Sequence, residues 1–146
     1  MKGENMNKKM LSIMASLALM TVAGVASGYA QETALKAHIP FAFAVNRSAL
    51  PAGDYSLGQV YQNAWVIRND DGGPAIVTLA THNGTNQEGG AKLVFERCGE
   101  RYFLTEVRAA SETALIPASK AERELEREMA GNGSKPETLY VLASVR

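Results

Sequence analysis

The chain has 146 residues, with 15 basic and 15 acidic side chains, two histidines and a single cysteine. That length supplies one hydrophobic core and not two. The neutral balance excludes nucleic-acid binding driven by net charge, and one cysteine excludes a disulfide-stapled scaffold.

In chain order, the first thirty residues read as a secretory signal peptide that is cleaved. Lys2, Lys8 and Lys9 give a positive start, and residues 10–25 are almost wholly apolar. Gly28-Tyr29-Ala30 then places small residues at −3 and −1 of a peptidase site after Ala30. The apolar run is about 16 residues, short of the roughly 20 that cross a bilayer. Cleavage leaves a single β-rich domain, residues 31–146, with no membrane span, exported to the periplasm or beyond the cell. No cysteine lies near the cleavage site to take a lipid anchor. The mature part keeps 12 basic and 14 acidic residues, which argues against nucleic acid as a partner.

The mature chain is patterned as short alternating segments between turn residues, the signature of β-strands. The first covers residues 37–45, with Ile39, Phe41, Phe43 and Val45 on one face and Pro40 marking an edge or bulge. Asn46-Arg47-Ser48 turns the chain. Pro51-Ala52-Gly53 makes a second tight turn between the apolar anchors Leu50 and Tyr55. Strands follow over residues 55–60 and 64–69, the latter directing Trp65 and Ile67 to one side. Asp70-Asp71-Gly72-Gly73 is a hairpin signal. Pro74 opens a strand over 75–82, with Val77 and Leu79 expected to face inward. Residues 83–90 form a polar, glycine-rich loop. Residues 91–97 and 101–108 make the strongest hairpin, closed by Cys98-Gly99-Glu100 with Gly99 at positive φ.

The period then changes. Ser119 and Glu122 form a capping box for a helix over about 119–130, stopped by Gly131-Asn132-Gly133. Its expected apolar stripe is Ala118, Ala121, Leu125 and Met129. Glu122, Glu124, Glu126 and Glu128 read as a solvated face. A last strand covers 138–145, with Leu139, Val141, Ala143 and Val145 on one side. The pattern predicts a mainly β fold: an antiparallel β-sandwich or small open barrel of about seven strands with one late amphipathic α-helix.

Catalytic and metal signals are sparse. His38, His82, Asp70, Asp71 and Cys98 are ligand types, but none stands in a metal-ligand spacing. No GxSxG elbow and no phosphate-binding glycine loop occurs, so no catalytic residue, metal or cofactor is assigned. One hairpin feature stands out. Arg97, Arg101 and Arg108 lie beside Tyr102 and two phenylalanines, a composition used at protein or glycan contacts. Arg97, Arg101, Tyr102 and Arg108 therefore form a candidate partner surface. The alternative is cross-strand pairing of these arginines with Glu96, Glu100 or Glu106. Cys98, as an odd cysteine in an exported protein, is a candidate for an intermolecular disulfide.

Four stretches in this order, IPFAFAVNRSALPAGDY (39–55), WVIRNDDG (65–72), KLVFERCGERYFLTEV (92–107) and SKAERELE (119–126), resemble small secreted proteins of Acidobacteria-type soil bacteria. The resemblance implies a β-rich envelope or extracellular protein and brings no catalytic residues with it. The reading is an exported, non-enzymatic β-domain that binds a protein or envelope partner or has a structural role. Two alternatives are a small apolar-ligand carrier, with its interior lined by residues 75–79 and 102–104, and a secreted hydrolase using His38 or His82.

Overall fold

The computed structural model describes residues 34–85, 89–110 and 112–145. The signal-peptide reading of residues 1–30 lies outside these residues, as do positions 86–88 of the polar loop. In chain order the strands are β1 (Ala34–Ile39), β2 (Phe43–Val45), β3 (Ser48–Leu50), β4 (Gly53–Tyr61), β5 (Ala64–Asn69), β6 (Ile76–Leu79), β7 (Thr81–His82), β8 (Lys92–Cys98), β9 (Arg101–Arg108) and β10 (Thr113–Leu115). Helix α1 (Lys120–Gly131) follows, then β11 (Glu137–Leu142) and β12 (Ser144–Val145).

These strands build two sheets. Sheet A runs β12-β1-β4-β5-β6, and sheet B runs β11-β8-β9-β10-β7 with the β2–β3 hairpin joined to β9. Neighbours are antiparallel except for the short parallel contact of β2 with β9. The expected antiparallel β architecture with one late helix is therefore the fold.

The described residues form twelve strands rather than about seven: three expected strands each divide between the sheets, and β3 and β10 are additional. Residues 37–45 split at Pro40. That residue has no N–H for the ladder, so β1 ends at Ile39 and β2 starts in the other sheet. The inward alternation survives the corner, since Ile39, Phe43 and Val45 are all buried. Residues 75–82 split at Ala80 and residues 138–145 at Ala143, whose N–H donates to the Ala91 carbonyl at 2.8 Å. Val145 thereby pairs with Leu35 at the edge of sheet A and is half exposed, apart from Leu139 and Val141.

The core lies between the sheets. Leu35, Leu57, Trp65 and Ile67 from sheet A meet Leu93, Phe95, Leu104 and Val107 from sheet B. Each such side chain contributes roughly 1.5–3 kcal/mol on leaving water. Phe43 packs edge-on against Tyr55 and Phe95, with ring centroids 5.1 and 5.4 Å away. The Tyr55 hydroxyl donates to the Pro51 carbonyl at 2.7 Å, so the predicted Pro-Ala-Gly turn is tied to the core by its own anchor.

The direction of β6 is opposite to the expectation. Val77 and Leu79 are 60% and 62% exposed, while Thr78 and Ala80 are buried. Residues 76–80 are apolar or small on both phases, so pattern alone leaves the phase open. Register decides it: Trp65 stands opposite Thr78, and the indole must be inside.

A second, smaller apolar layer sits on the outer face of sheet B. The β8–β9 register shifts between Val94 and Phe95, leaving Thr105 as an extra residue. Beyond that bulge Phe103 turns outward while Leu104 stays in the core. Phe103, Val94 and Cys98 are buried yet lie outside the main core cluster. Helix α1 packs on this outer face against β8. Its capping box is present: the Glu122 N–H donates to Ser119 Oγ, and Glu122 Oε2 accepts from the Ser119 N–H, both at 3.1 Å. The expected stripe is shifted by one position. Ala121 is exposed, and Glu122 is buried in its place, with Leu125 and Met129 half-buried.

Candidate functional site

The four residues expected to share one partner surface are divided among three places. Arg97 and Tyr102 face each other across the hairpin on the phase that carries Phe95 inward. Tyr102 stacks on Phe41 with centroids 4.1 Å apart, and the Arg97 guanidinium lies 5.6 Å from the Tyr102 ring. Arg97 also donates from Nε to the Gly99 carbonyl at 2.9 Å and pairs with Glu137 at 3.7 Å. Arg101 is on the outer phase, 5.2 Å from the Phe103 ring. Arg108 is at the far end of β9, with Nε 2.7 Å from Glu106 Oε2. A period of two separates Arg97 from Arg101, and the length of β9 separates both from Arg108.

Cys98 is fully buried at the end of β8, directly before the two-residue turn Gly99-Glu100, where Gly99 has φ +64°. Burial pushes its thiol up to about 11, and the carboxylates of Glu126, Glu96 and Glu122 add to the rise. Reaction with a second thiol needs an accessible thiolate. As folded, Cys98 offers neither, which removes the geometric basis for the intermolecular disulfide.

Those three glutamates form a cluster, although the sequence pattern assigns Glu122 and Glu126 to a solvated face and Glu96 to cross-strand pairing. One carboxylate oxygen from each of Glu96, Glu122 and Glu126 lies within 4.8 Å of the others, beneath α1. Glu122 is only 4% exposed. Burial holds the Glu122 and Glu96 carboxyls above the ordinary carboxylate range. Glu126 raises both further, and Glu106 adds to the rise at Glu96 and Glu96 to that at Glu122. The hydrogen bond from the Ser119 N–H, with a smaller effect of Arg123, partly offsets the rise at Glu122.

Arg108 belongs to a different constellation, one centred on Tyr140. Strand β11 pairs with β8, so Tyr140 stands opposite Val94, and on the next outward rung Leu142, Lys92 and Arg108 lie side by side. Two cations approach the Tyr140 ring, with Lys92 Nζ at 5.4 Å and Arg108 Cζ at 5.9 Å from its centroid. Tyr140 is 57% and Leu142 79% exposed. A signal for this patch exists in the sequence. Residues 139–142 are apolar on both phases, so filling the core with Leu139 and Val141 leaves Tyr140 and Leu142 on the outside.

The histidines occupy separate grooves. His38 Nδ1 lies 2.8 Å from Asp54 Oδ1. Their groove of about 590 Å³ also contains Lys36, Asp70, Asp71 and Ser144. Lys36 pairs with Asp70 at 3.2 Å, and Ser56 Oγ donates to Asp70 at 2.6 Å. His82 Nδ1 lies 3.6 Å from Glu112 Oε2, in a groove of about 460 Å³ beside Gln59 and Tyr61. A carboxylate is within hydrogen-bond distance of His38, whereas Glu112 only lies near His82.

The fold thus defines the class: an antiparallel two-sheet β-domain with one helix laid on an outer face. No helix among the described residues is long and apolar enough to cross a membrane. Comparison with protein-family models, curated proteins and solved structures gives no match.

Proposed function

We propose that this chain is an exported, non-enzymatic β-domain that binds a protein partner of the cell envelope through the end of the outer face of sheet B that carries Tyr140, Leu142, Lys92 and Arg108, away from Arg101. The observation that carries this reading is the Tyr140 constellation. An aromatic ring contacted by two cations, beside an exposed leucine, has the side-chain types that dominate binding at protein interfaces. Holding the ring in place before contact lowers the ordering cost of docking. The segments considered for a carrier's interior, 75–79 and 102–104, direct Val77 and Leu79 to solvent, Phe103 to the outer layer of sheet B and Leu104 into the packed core. They support contact at the surface rather than within. His38 and Asp54 are the pair a hydrolase would use, and both are largely exposed.

The test compares capture from envelope extract by the wild-type protein, by Tyr140→Ala with Leu142→Ser, and by Arg101→Ala as a variant outside the patch. The expected result is a protein set enriched by wild type and Arg101→Ala and lost with the double variant. Equal capture by all three, or ester or peptide turnover abolished by His38→Ala, would sink the proposal.

A further inference from the structure

Strand β6 pairs with β5 on one side, and no described strand pairs with its other side. The direction of its backbone groups follows from the ladder. Ala80 N–H donates to the Asn63 carbonyl at 2.8 Å, and the next pairs along are Leu79 with Ala64 and Thr78 with Trp65. Antiparallel bonding alternates residue by residue. Ile76, Thr78 and Ala80 therefore direct their backbone groups to β5, and those of Val77 and Leu79 point to the free edge.

Exposed edges are commonly blunted by a charge, a proline or a bulge within the strand. Ile76–Leu79 reads IVTL and contains neither a charge nor a proline. Among the other described edge strands, β7 and β12 have two residues each, β3 has three, and β11 begins with Glu137. On the outer face, Leu79 shares a rung with Ala64 and with Tyr61, which is 75% exposed. The free edge thus borders an apolar strip.

We propose that β6 pairs with β6 of a second copy of this chain, joining sheet A of both copies into one continuous antiparallel sheet. The register is set by self-complementarity. A two-fold axis through Thr78 places Val77 opposite Leu79 of the second copy, and Leu79 opposite its Val77. In that register both N–H groups and both carbonyls of Val77 and Leu79 find partners, with Thr78 between them as a non-bonded pair. The outward side chains then meet as two Val–Leu pairs, and each apolar strip runs on into the other copy. No charge of β6 meets its own image, so two-fold pairing brings no like-charge contact. Hydrogen-bond spacing is common to all extended strands; what a second copy adds is an uncharged edge that meets itself with matched Val–Leu side chains. The edge is short and buries less than the roughly 800 Å² per partner of a standard interface. The dimer is therefore a concentration-dependent one.

Cross-linking tests the register directly. Val77→Cys and Leu79→Cys are prepared as separate proteins and oxidised mildly, each alone and as a mixture. In the proposed register the mixed pair has Cα atoms about 5.5 Å apart, within disulfide reach. Identical positions are about 8 Å or more apart, beyond the ~7 Å limit. The mixture is expected to give a covalent dimer, and each protein alone is not. In parallel, sedimentation of the wild-type protein is expected to show a dimer growing with concentration. Val77→Lys, with an unchanged circular dichroism spectrum, is expected to remain monomeric throughout. A wild-type protein monomeric at every concentration, a dimer unaffected by Val77→Lys, or cross-linking as efficient alone as in the mixture would overturn the proposal.

Discussion

Replacing Glu126 by glutamine should stabilise this domain at neutral pH and leave it unchanged in acid. Three carboxylate oxygens lie within 4.8 Å of one another beneath α1. Two unit charges at that separation repel by about 3.5 kcal/mol at an effective dielectric near 20. Glu96 and Glu126 are only half-buried, so solvent screening lowers this to about 1 kcal/mol per pair. Glu126→Gln removes two of the three repulsive pairs at nearly constant volume. The expected gain is about 1–2 kcal/mol at pH 7.5, a rise in Tm of roughly 4–8 °C. The pH dependence has a defined direction. Burial, together with the Glu126 charge, raises the folded-state carboxyls of Glu96 and Glu122 above the ordinary value of 4.5. Between the ordinary and the raised value the folded state binds more protons than the unfolded chain. The stability these groups contribute is complete below the ordinary value and is lost as pH rises through the raised one. Wild type should therefore weaken as pH climbs from 4.5 towards neutrality, and the variant should weaken less. Urea melts followed by far-ultraviolet circular dichroism, from pH 4 to pH 8, measure both. A variant no more stable than wild type at pH 7.5, or a gain that persists at pH 4, would refute the repulsion argument.

Three further outcomes are expected. Tyr55→Phe deletes the hydroxyl that donates to the Pro51 carbonyl and should cost about 1 kcal/mol in a urea melt. Gly99→Ala keeps the hairpin sequence but forces an L-residue to φ +64°, which should cost about 1–2 kcal/mol. Cys98, buried and with its thiol near 11, should resist a thiol-reactive dye at pH 8 in the native protein and react fully in denaturant. A non-reducing gel of the oxidised protein should show no covalent dimer.

Local features were legible in the residues themselves. The turn at Gly99, the capping box of Ser119 and Glu122, the Tyr55 anchor of the Pro-Ala-Gly turn and the strand carrying Trp65 and Ile67 all follow from neighbours a few positions apart. What escaped reading was phase and partition. Residues 76–80 carry apolar or small side chains on both phases, so nothing local says that Val77 and Leu79 face water. Glu122 was read as a solvated charge because its one-residue difference from Ala121 on the helix matters only once β8 lies beneath it. Arg97, Arg101 and Arg108 are close in sequence, yet strand alternation puts Arg97 on the opposite face from Arg101, and Arg108, kept on the outer face with Arg101 by the Thr105 bulge, is separated from it by the length of β9.

By itself, the sequence determined the β character of the chain, the turns, the helix with its cap, and most of the core, because dihedral preference and side-chain period act over a few residues. Only the tertiary structure decided where strands cross between sheets, which face of β6 is buried, that three glutamates meet under α1, and that Lys92 and Arg108 both approach Tyr140. Those outcomes depend on register between segments far apart in the chain. A register is chosen by the summed packing of both partners, a quantity that neither segment carries alone.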